Sequence, residues 1–462
     1  MTYSKNAFLA VTAALVAGSM AVAAWQQQPP PPASQAPRQQ SEVVTTLTGE
    51  GGRRPRLAVA SFLAGGDAET QAAARTIADV LHSDFEFERE FDMVSRAAIA
   101  SIPASLTASA NQWDRWREAG VDAIVVGSIE KSGSGARLVV TMYRVSGGQQ
   151  LFSKQYTGSI ASPRVLAHTV ADDVHLSQGL QGVARTKLTF SSNRDGERTA
   201  TTFAQRNTQE IYISDYDGAG QRRVTTSRNL NITPSWSPDG QAIAYTSYVS
   251  GYPDIAISWI YKGLLQKPAR GSHSQQNFQP VFSPDGTRIA FMSSRDNNNE
   301  IYVMNVDGSG VRRVTNHAKI DTTPTWSPSG THIAFVSERD GTQNIWRVDA
   351  DGLERPQKLT HESAVDRPTW SPPPLNEIAY TARTGGAGYD IKILNVATGR
   401  TSAVTTGEGS NESPAFSPTG RHVAFTTTRF GKTQIAIVSR DGRGLRQITR
   451  VGDNKFPHWS RR

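Results

Sequence analysis

Pro234-Ser235-Trp236-Ser237-Pro238-Asp239-Gly240 is the stretch that decides the fold, because its core of proline, any residue, tryptophan or phenylalanine, then serine returns five more times. The later copies start at Pro280, Pro324, Pro368, Pro414 and Pro457, at spacings of 46, 44, 44, 46 and 43 residues. Each copy before the last is followed by a turn such as Ser237-Pro238-Asp239-Gly240 and then by an alternating strand, as in Ile243-Ala244-Tyr245-Thr246 or Ile289-Ala290-Phe291-Met292. A second strand (Ile301-Tyr302-Val303-Met304, Ile435-Ala436-Ile437-Val438) leads to turns at Asp307-Gly308 and Asp441-Gly442, and a third short strand closes the unit, as in Gln447-Ile448-Thr449. The Asp-Gly pairs supply positive φ and side-chain-to-backbone hydrogen bonds. With the Pro-x-Trp stretch as the fourth, four short strands per period define a propeller blade.

Working outward, Lys187-Leu188-Thr189-Phe190 has the blade strand but no Pro-x-Trp before it, while Pro457-His458-Trp459 has no such strand after it. The two halves are expected to complete one blade, giving six blades over residues 183–462 and a ring with no free edge strand. The six Trp or Phe residues are expected to pack between neighbouring blades. Asp239 and Asp285 match Ser329, Pro373 and Thr419 in other copies, and a position that accepts proline is not a general acid.

Upstream, residues 56–62 (RLAVASF) alternate as a strand and 67–81 have helical periodicity with acidic residues at the start. A helix over 111–119 leads into a buried strand at 122–127, and 138–145 with 151–158 form a hairpin. Residues 162–180 form an amphipathic helix with Ser162 as its cap and Pro163 at its first position. The fold class is therefore an α+β N-terminal domain, a small α/β sandwich over 41–182, followed by an all-β six-bladed propeller. Residues 1–24 pair one early positive charge with an apolar run and small residues, the pattern of a secretory signal peptide. Residues 25–40 (WQQQPPPPASQAPRQQ) form a Pro/Gln-rich flexible linker.

Composition narrows the function. The 462 residues include no cysteine, which excludes thiol nucleophiles, Cys-ligated metals and disulfides. The net charge of +8 is spread without a basic stripe, so no nucleic-acid partner is expected. There is no Gly-x-Ser-x-Gly elbow and no His-Glu-x-x-His, and the nine histidines are scattered. No catalytic residue, metal or cofactor is assigned, and the chain is expected not to be an enzyme.

The candidate site lies just before each repeat proline. Asn231, Thr233, Asn277, Gln279, Asp321, Thr322, Asp366, Arg367, Asn411, Glu412, Asn454 and Lys455 are expected at the tips of six loops ringing one mouth of the central channel.

Four motifs together resemble the TolB family, the periplasmic propellers of the Tol-Pal system: Ala119-Gly120-Val121-Asp122-Ala123-Ile124-Val125-Val126-Gly127, Ile213-Ser214-Asp215-Tyr216-Asp217-Gly218, the 234–240 stretch, and Lys455-Phe456-Pro457-His458-Trp459-Ser460. The resemblance implies a monomer in the periplasm whose propeller mouth binds the peptidoglycan-associated lipoprotein Pal. That contact would associate the protein peripherally with the outer membrane and support envelope integrity and cell division. Within it, Asn277, Thr322 and Asn411 would fix the register and Lys455 and Arg367 would add attraction. The resemblance also implies that TolA contacts an N-terminal segment matching Glu42, Val43, Val44 and Leu47, which here follows the Pro/Gln linker. The alternatives are a secreted envelope propeller that binds glycan or lipid and, less well supported, a propeller-linked peptidase.

Overall fold

A proline inside a strand has no N–H to give its ladder, so the strand that contains it must skip a bond. All six Pro-x-Trp stretches meet this condition in the same way. In the computed structural model, which describes Leu47 and residues 52–196, 208–269, 271–385 and 388–461, each stretch is the innermost strand of a four-stranded antiparallel blade. These strands are Asn231–Trp236, Asn277–Phe282, Asp321–Trp326, Val365–Trp370, Asn411–Phe416 and Asn454–Trp459. In every one the register shifts around the proline, as between Ile232 and Ser235.

The ring closes as the repeat count requires. The C-terminal strand Asn454–Trp459 pairs with Lys187–Ser192, with Asn454 opposite Ser192 and Trp459 opposite Leu188. We number this blade one and the others in chain order. Trp236 packs with Ile211 and Ile213 of blade one, Phe282 with Ile255 and Ile257 of blade two, and Trp326 with Ile301 and Val303 of blade three. The aromatic residues therefore seal the seams between blades. At roughly 25 cal/mol per Å² of apolar surface removed from water, such rings dominate inter-blade cohesion.

One expectation is corrected. Closure joins the first and last blades, but each blade still ends in an outer strand with an open edge: Arg222–Arg223, Leu264–Gln266, Arg312–Arg313, Gln357–Lys358, Thr401–Ala403 and Arg446–Gln447. Among the described residues these edges are short and, in five of the six, carry polar side chains.

The N-terminal domain is a mixed sheet with helices on both faces. Strands β1 (Arg56–Val59), β2 (Leu63–Ala64), β3 (Asp92–Met93), β4 (Ala123–Ser132), β5 (Gly135–Arg144) and β6 (Gln150–Gly158) lie in the order β3-β1-β4-β5-β6, with β2 beside β4. Leu57 and Val59 join the core under α1 (Ala68–Glu88) and α4 (Pro163–Ser177), while Ala58 and Ala60 join the core holding Ile99 and Trp116 of the short helices α2 (Arg96–Ile99) and α3 (Trp113–Glu118). Asp67 caps α1 by accepting the Thr70 hydroxyl at 2.7 Å and the Thr70 N–H at 3.0 Å, and these bonds hold its carboxyl down at about 2. The expected helix at 67–81 runs on to Glu88, because Phe85 and Phe87 continue its buried stripe. The expected cap at Ser162 makes no side-chain hydrogen bond, and Pro163 alone sets the start of α4.

Candidate functional site

The three residues at the start of each innermost strand play different parts, set by the skipped ladder bond. The first turns inward into the blade. Asn277 accepts from Arg295 Nη2 at 3.2 Å, Asp321 from Arg339 at 2.8 Å, Asn454 from Arg194 at 2.9 Å and Asn411 from Arg429 at 3.4 Å. Three of these arginines also stack on blade aromatics: Arg194 on Phe190 and Tyr212, Arg295 on Phe291 and Tyr302, and Arg339 on Phe335 and Trp346. Val249 in blade two and Thr384 in blade five stand where the other four blades carry arginine, and Asn231 instead donates to Glu210 Oε2 of blade one at 2.9 Å.

The placement of Asn231, Asn277, Asp321, Asn411 and Asn454 in loop tips is therefore corrected. All five are in strands and fully buried. In four of the five, a short polar residue that faces a half-buried guanidinium is held by it, since leaving that charge unpaired would cost more than the solvent contact returns.

The second residues, Ile232, Phe278, Thr322, Asp366, Glu412 and Lys455, are half-buried and pair with the next strand, as Thr322 does with Val336 and Lys455 with Ser191. The third residues, Thr233, Gln279, Thr323, Arg367, Ser413 and Phe456, all have positive φ, between 47° and 58°. For non-glycine residues, two of them β-branched, this conformation costs about 1–2 kcal/mol each and persists only where neighbours fix it. They do. The freed N–H of Gln279 donates to Thr246 Oγ1 of the preceding blade at 2.9 Å, that of Ser413 to Thr381 at 3.0 Å, and that of Phe456 to Thr426 at 3.1 Å. Where Met292 replaces the threonine, Gln279 supplies Oε1 to the Thr323 N–H at 3.0 Å.

This ring lines the channel together with the repeat prolines. Arg367 reaches across it to Phe456, 4.2 Å from the ring centroid. At the other end, the Trp or Phe residues, His458 and Arg461 bound a cavity of about 320 Å³. His458 Nδ1 accepts the Trp236 N–H at 3.1 Å, and burial pushes its imidazole down to about 4.

Of the expected mouth residues, the structure thus leaves Gln279, Thr322, Asp366, Arg367, Glu412 and Lys455 partly accessible, with Thr233 nearly covered. Thr323, Ser413 and Phe456, the last residues of their pre-proline stretches, complete the ring.

The two ends of the channel differ in their surroundings. The N-terminal domain packs at the end where the innermost strands finish: Arg421 donates to Glu88 at 2.5 Å, His422 Nε2 lies 3.0 Å from Phe87 O, and Tyr216 donates to Asp84 at 2.6 Å. The mouth carrying the positive-φ ring faces away from it. Of the N-terminal segment, Leu47 is buried with its N–H on Gln178 Oε1 at 2.9 Å, whereas Glu42, Val43 and Val44 lie outside the described residues. His168, Asp215 and Asp217 bring possible metal-binding atoms within 4.8 Å of one another, but Lys187 and Arg164 already answer the two carboxylates. Among the described residues no helix is long and apolar enough to cross a membrane.

A six-bladed ring closed by its own last strand, with a mixed α/β domain over one face and a polar ring at the other, defines a two-domain propeller protein. The model of the TolB beta propeller domain matches residues 175–462 and that of the TolB amino-terminal domain matches 43–151. The Tol-Pal system protein TolB of Bordetella avium is 33% identical over 89% of both chains. That of Anaeromyxobacter dehalogenans (strain 2CP-C) is 34% identical over 57% of this chain, and the match spans 58% of its own length. The crystal structure of TolB from Acinetobacter baumannii superposes with a TM-score of 0.75 and 26% identity, covering 88% of this chain and 97% of that one. The chain belongs to the TolB family.

Proposed function

We propose that this chain works in the Tol-Pal system as a periplasmic adaptor that binds Pal at the propeller mouth and TolA through the segment around residues 42–47. The observation that carries the reading is the ring of six positive-φ residues held at the mouth facing away from the N-terminal domain. Backbone strain fixed by inter-blade bonds is a cost that a plain barrel end has no reason to bear, and it presents a preorganised, mixed polar rim. Gln279, Thr322, Asp366, Glu412 and Lys455 supply the contacts, with Arg367 in reserve on Phe456. The buried Asn231, Asn277, Asp321, Asn411 and Asn454 hold the rim in shape, and Thr233 completes the ring. Charged groups at such a rim act mainly on association rate and register, so binding weakens with salt. The docking of Leu47 on Gln178 suits an N-terminal segment that exchanges between the domain and a partner. In this reading no catalytic step and no cofactor is involved.

The test is calorimetric titration of residues 25–462 with the soluble domain of Pal from the same cell, repeated on a chain starting at Ser41. Saturable 1:1 binding that Thr322→Ala with Lys455→Glu weakens is expected. Absence of binding up to about 100 μM overturns the reading.

A further inference from the structure

The turn between the third and outer strands is polar in five blades, with Asp217-Gly218, Asp307-Gly308, Asp351-Gly352, Thr398-Gly399 and Asp441-Gly442. Blade two instead carries Trp259-Ile260-Tyr261-Lys262-Gly263-Leu264-Leu265-Gln266-Lys267. Its hairpin pairs Trp259 with Leu264 and Ile257 with Gln266. Tyr261, Leu264 and Leu265 are 61%, 59% and 60% exposed, against a single large apolar side chain at each corresponding turn that has any. Nothing in the core needs them. Gln266, the next residue, is by contrast tied down, accepting from Trp259 Nε1 at 3.3 Å and donating to Val306 O of blade three at 3.0 Å.

We propose that this hairpin tip is a docking surface for an anionic phospholipid bilayer. The charge pattern selects that occupant. Residues 255–284 contain no aspartate or glutamate, and Lys262, Lys267 and Arg270 fall within them. Lys262 Nζ sits 5.0 Å above the Trp259 ring, which places an ammonium beside an indole, a tyrosine and two leucines at one tip. Amphipathic rings and lysines around a small apolar point suit the headgroup boundary, where apolar insertion and attraction to anionic lipid add. The acidic group in the neighbouring turn, Asp307, is engaged by the Ser309 amide and hydroxyl. Addition of a partner strand is disfavoured, because the free edge is three residues long and Pro268 follows one residue beyond it. The tip is at the end of the channel that faces away from the positive-φ mouth, so lipid and a mouth partner can be held together.

The experiment is flotation of the chain over residues 25–462 with vesicles of phosphatidylglycerol and phosphatidylethanolamine, and separately of phosphatidylcholine. Binding to the anionic vesicles alone is expected. It falls about tenfold or more in Leu264→Asp with Leu265→Asp, and similarly in Lys262→Glu with Lys267→Glu, which leaves the apolar tip intact. Thermal melts confirm that both variants fold, and neither pair touches the mouth. Failure of the wild type to float with anionic vesicles overturns the proposal, as does equal flotation of both variants. Loss of self-association or of protein binding in the leucine variant, with lipid binding unchanged, also overturns it and makes the hairpin a protein contact.

Discussion

The guanidinium of Arg367 lies 4.2 Å from the centre of the Phe456 ring, joining blade five to blade one across the mouth that they share with blade six. Both residues have positive φ, so the contact depends on two strained backbones being aimed at each other. A half-desolvated cation over a ring is worth about 0.5–2 kcal/mol. In a double-mutant cycle of Arg367→Ala and Phe456→Ala, measured by urea unfolding, a coupling of that size is expected; additive effects would mean the stack carries no weight.

Asn277 and Thr322 separate scaffold from surface. Asn277→Ala strands the Arg295 guanidinium inside blade three and is expected to cost about 1–3 kcal/mol. Thr322→Ala, on a half-buried side chain, is expected to stay within about 0.5 kcal/mol. Equal midpoints for the two variants in urea would contradict the assignment of Asn277 to the interior.

Two histidines make the fold acid-sensitive. Burial pushes both His458 and His422 down to about 4. Because the unfolded value is about 6.5, the neutral rings contribute full stability above that pH, and the contribution is lost as pH falls from there towards 4, at up to about 1.4 kcal/mol per pH unit for each group. A melting temperature that drops across this window, with a shallower drop in His458→Asn, is the expected record.

The domain junction has the opposite dependence. Burial disfavours charge on His168, but the Asp84 carboxylate at 2.8 Å outweighs it and raises the imidazole above its usual value. A raised histidine stabilises fully below about pH 6.5 and loses its contribution as pH climbs through the folded value. The gap in stability between wild type and His168→Gln should therefore be larger at pH 6 than at pH 9. A gap that widens on the alkaline side would show that the ring is neutral in the folded protein.

Removing the clasp at the other side of the junction tests its charge. Burial pushes Glu88 up to about 7 although Arg421 opposes it. Arg421→Ala leaves that carboxyl buried beside only the Val183 N–H, at 2.6 Å. The variant is expected to lose several kcal/mol at pH 8, about 3 or more, and to recover part of it at pH 6, where Glu88 takes a proton. A loss independent of pH would assign the role of Arg421 to packing.

The sequence by itself determined the number of blades, the closure of the ring by Asn454–Trp459 and the turns between strands. These are local properties: a proline, an aromatic and an Asp-Gly pair at a fixed period state what each segment does without reference to the others. The same pattern showed where the mouth is but not which way its residues point. Asn277 and Lys455 look alike in sequence as polar residues before a proline. Arg295, which follows the next strand, draws Asn277 into the blade, and no such partner draws in Lys455. The bulge that turns Thr233, Arg367 and Phe456 into the channel, the stack across it, and the exposure of Leu264 and Leu265 were decided only in the tertiary structure. Each depends on how blades sit against one another, and that arrangement follows from packing around the whole ring, which no single repeat contains.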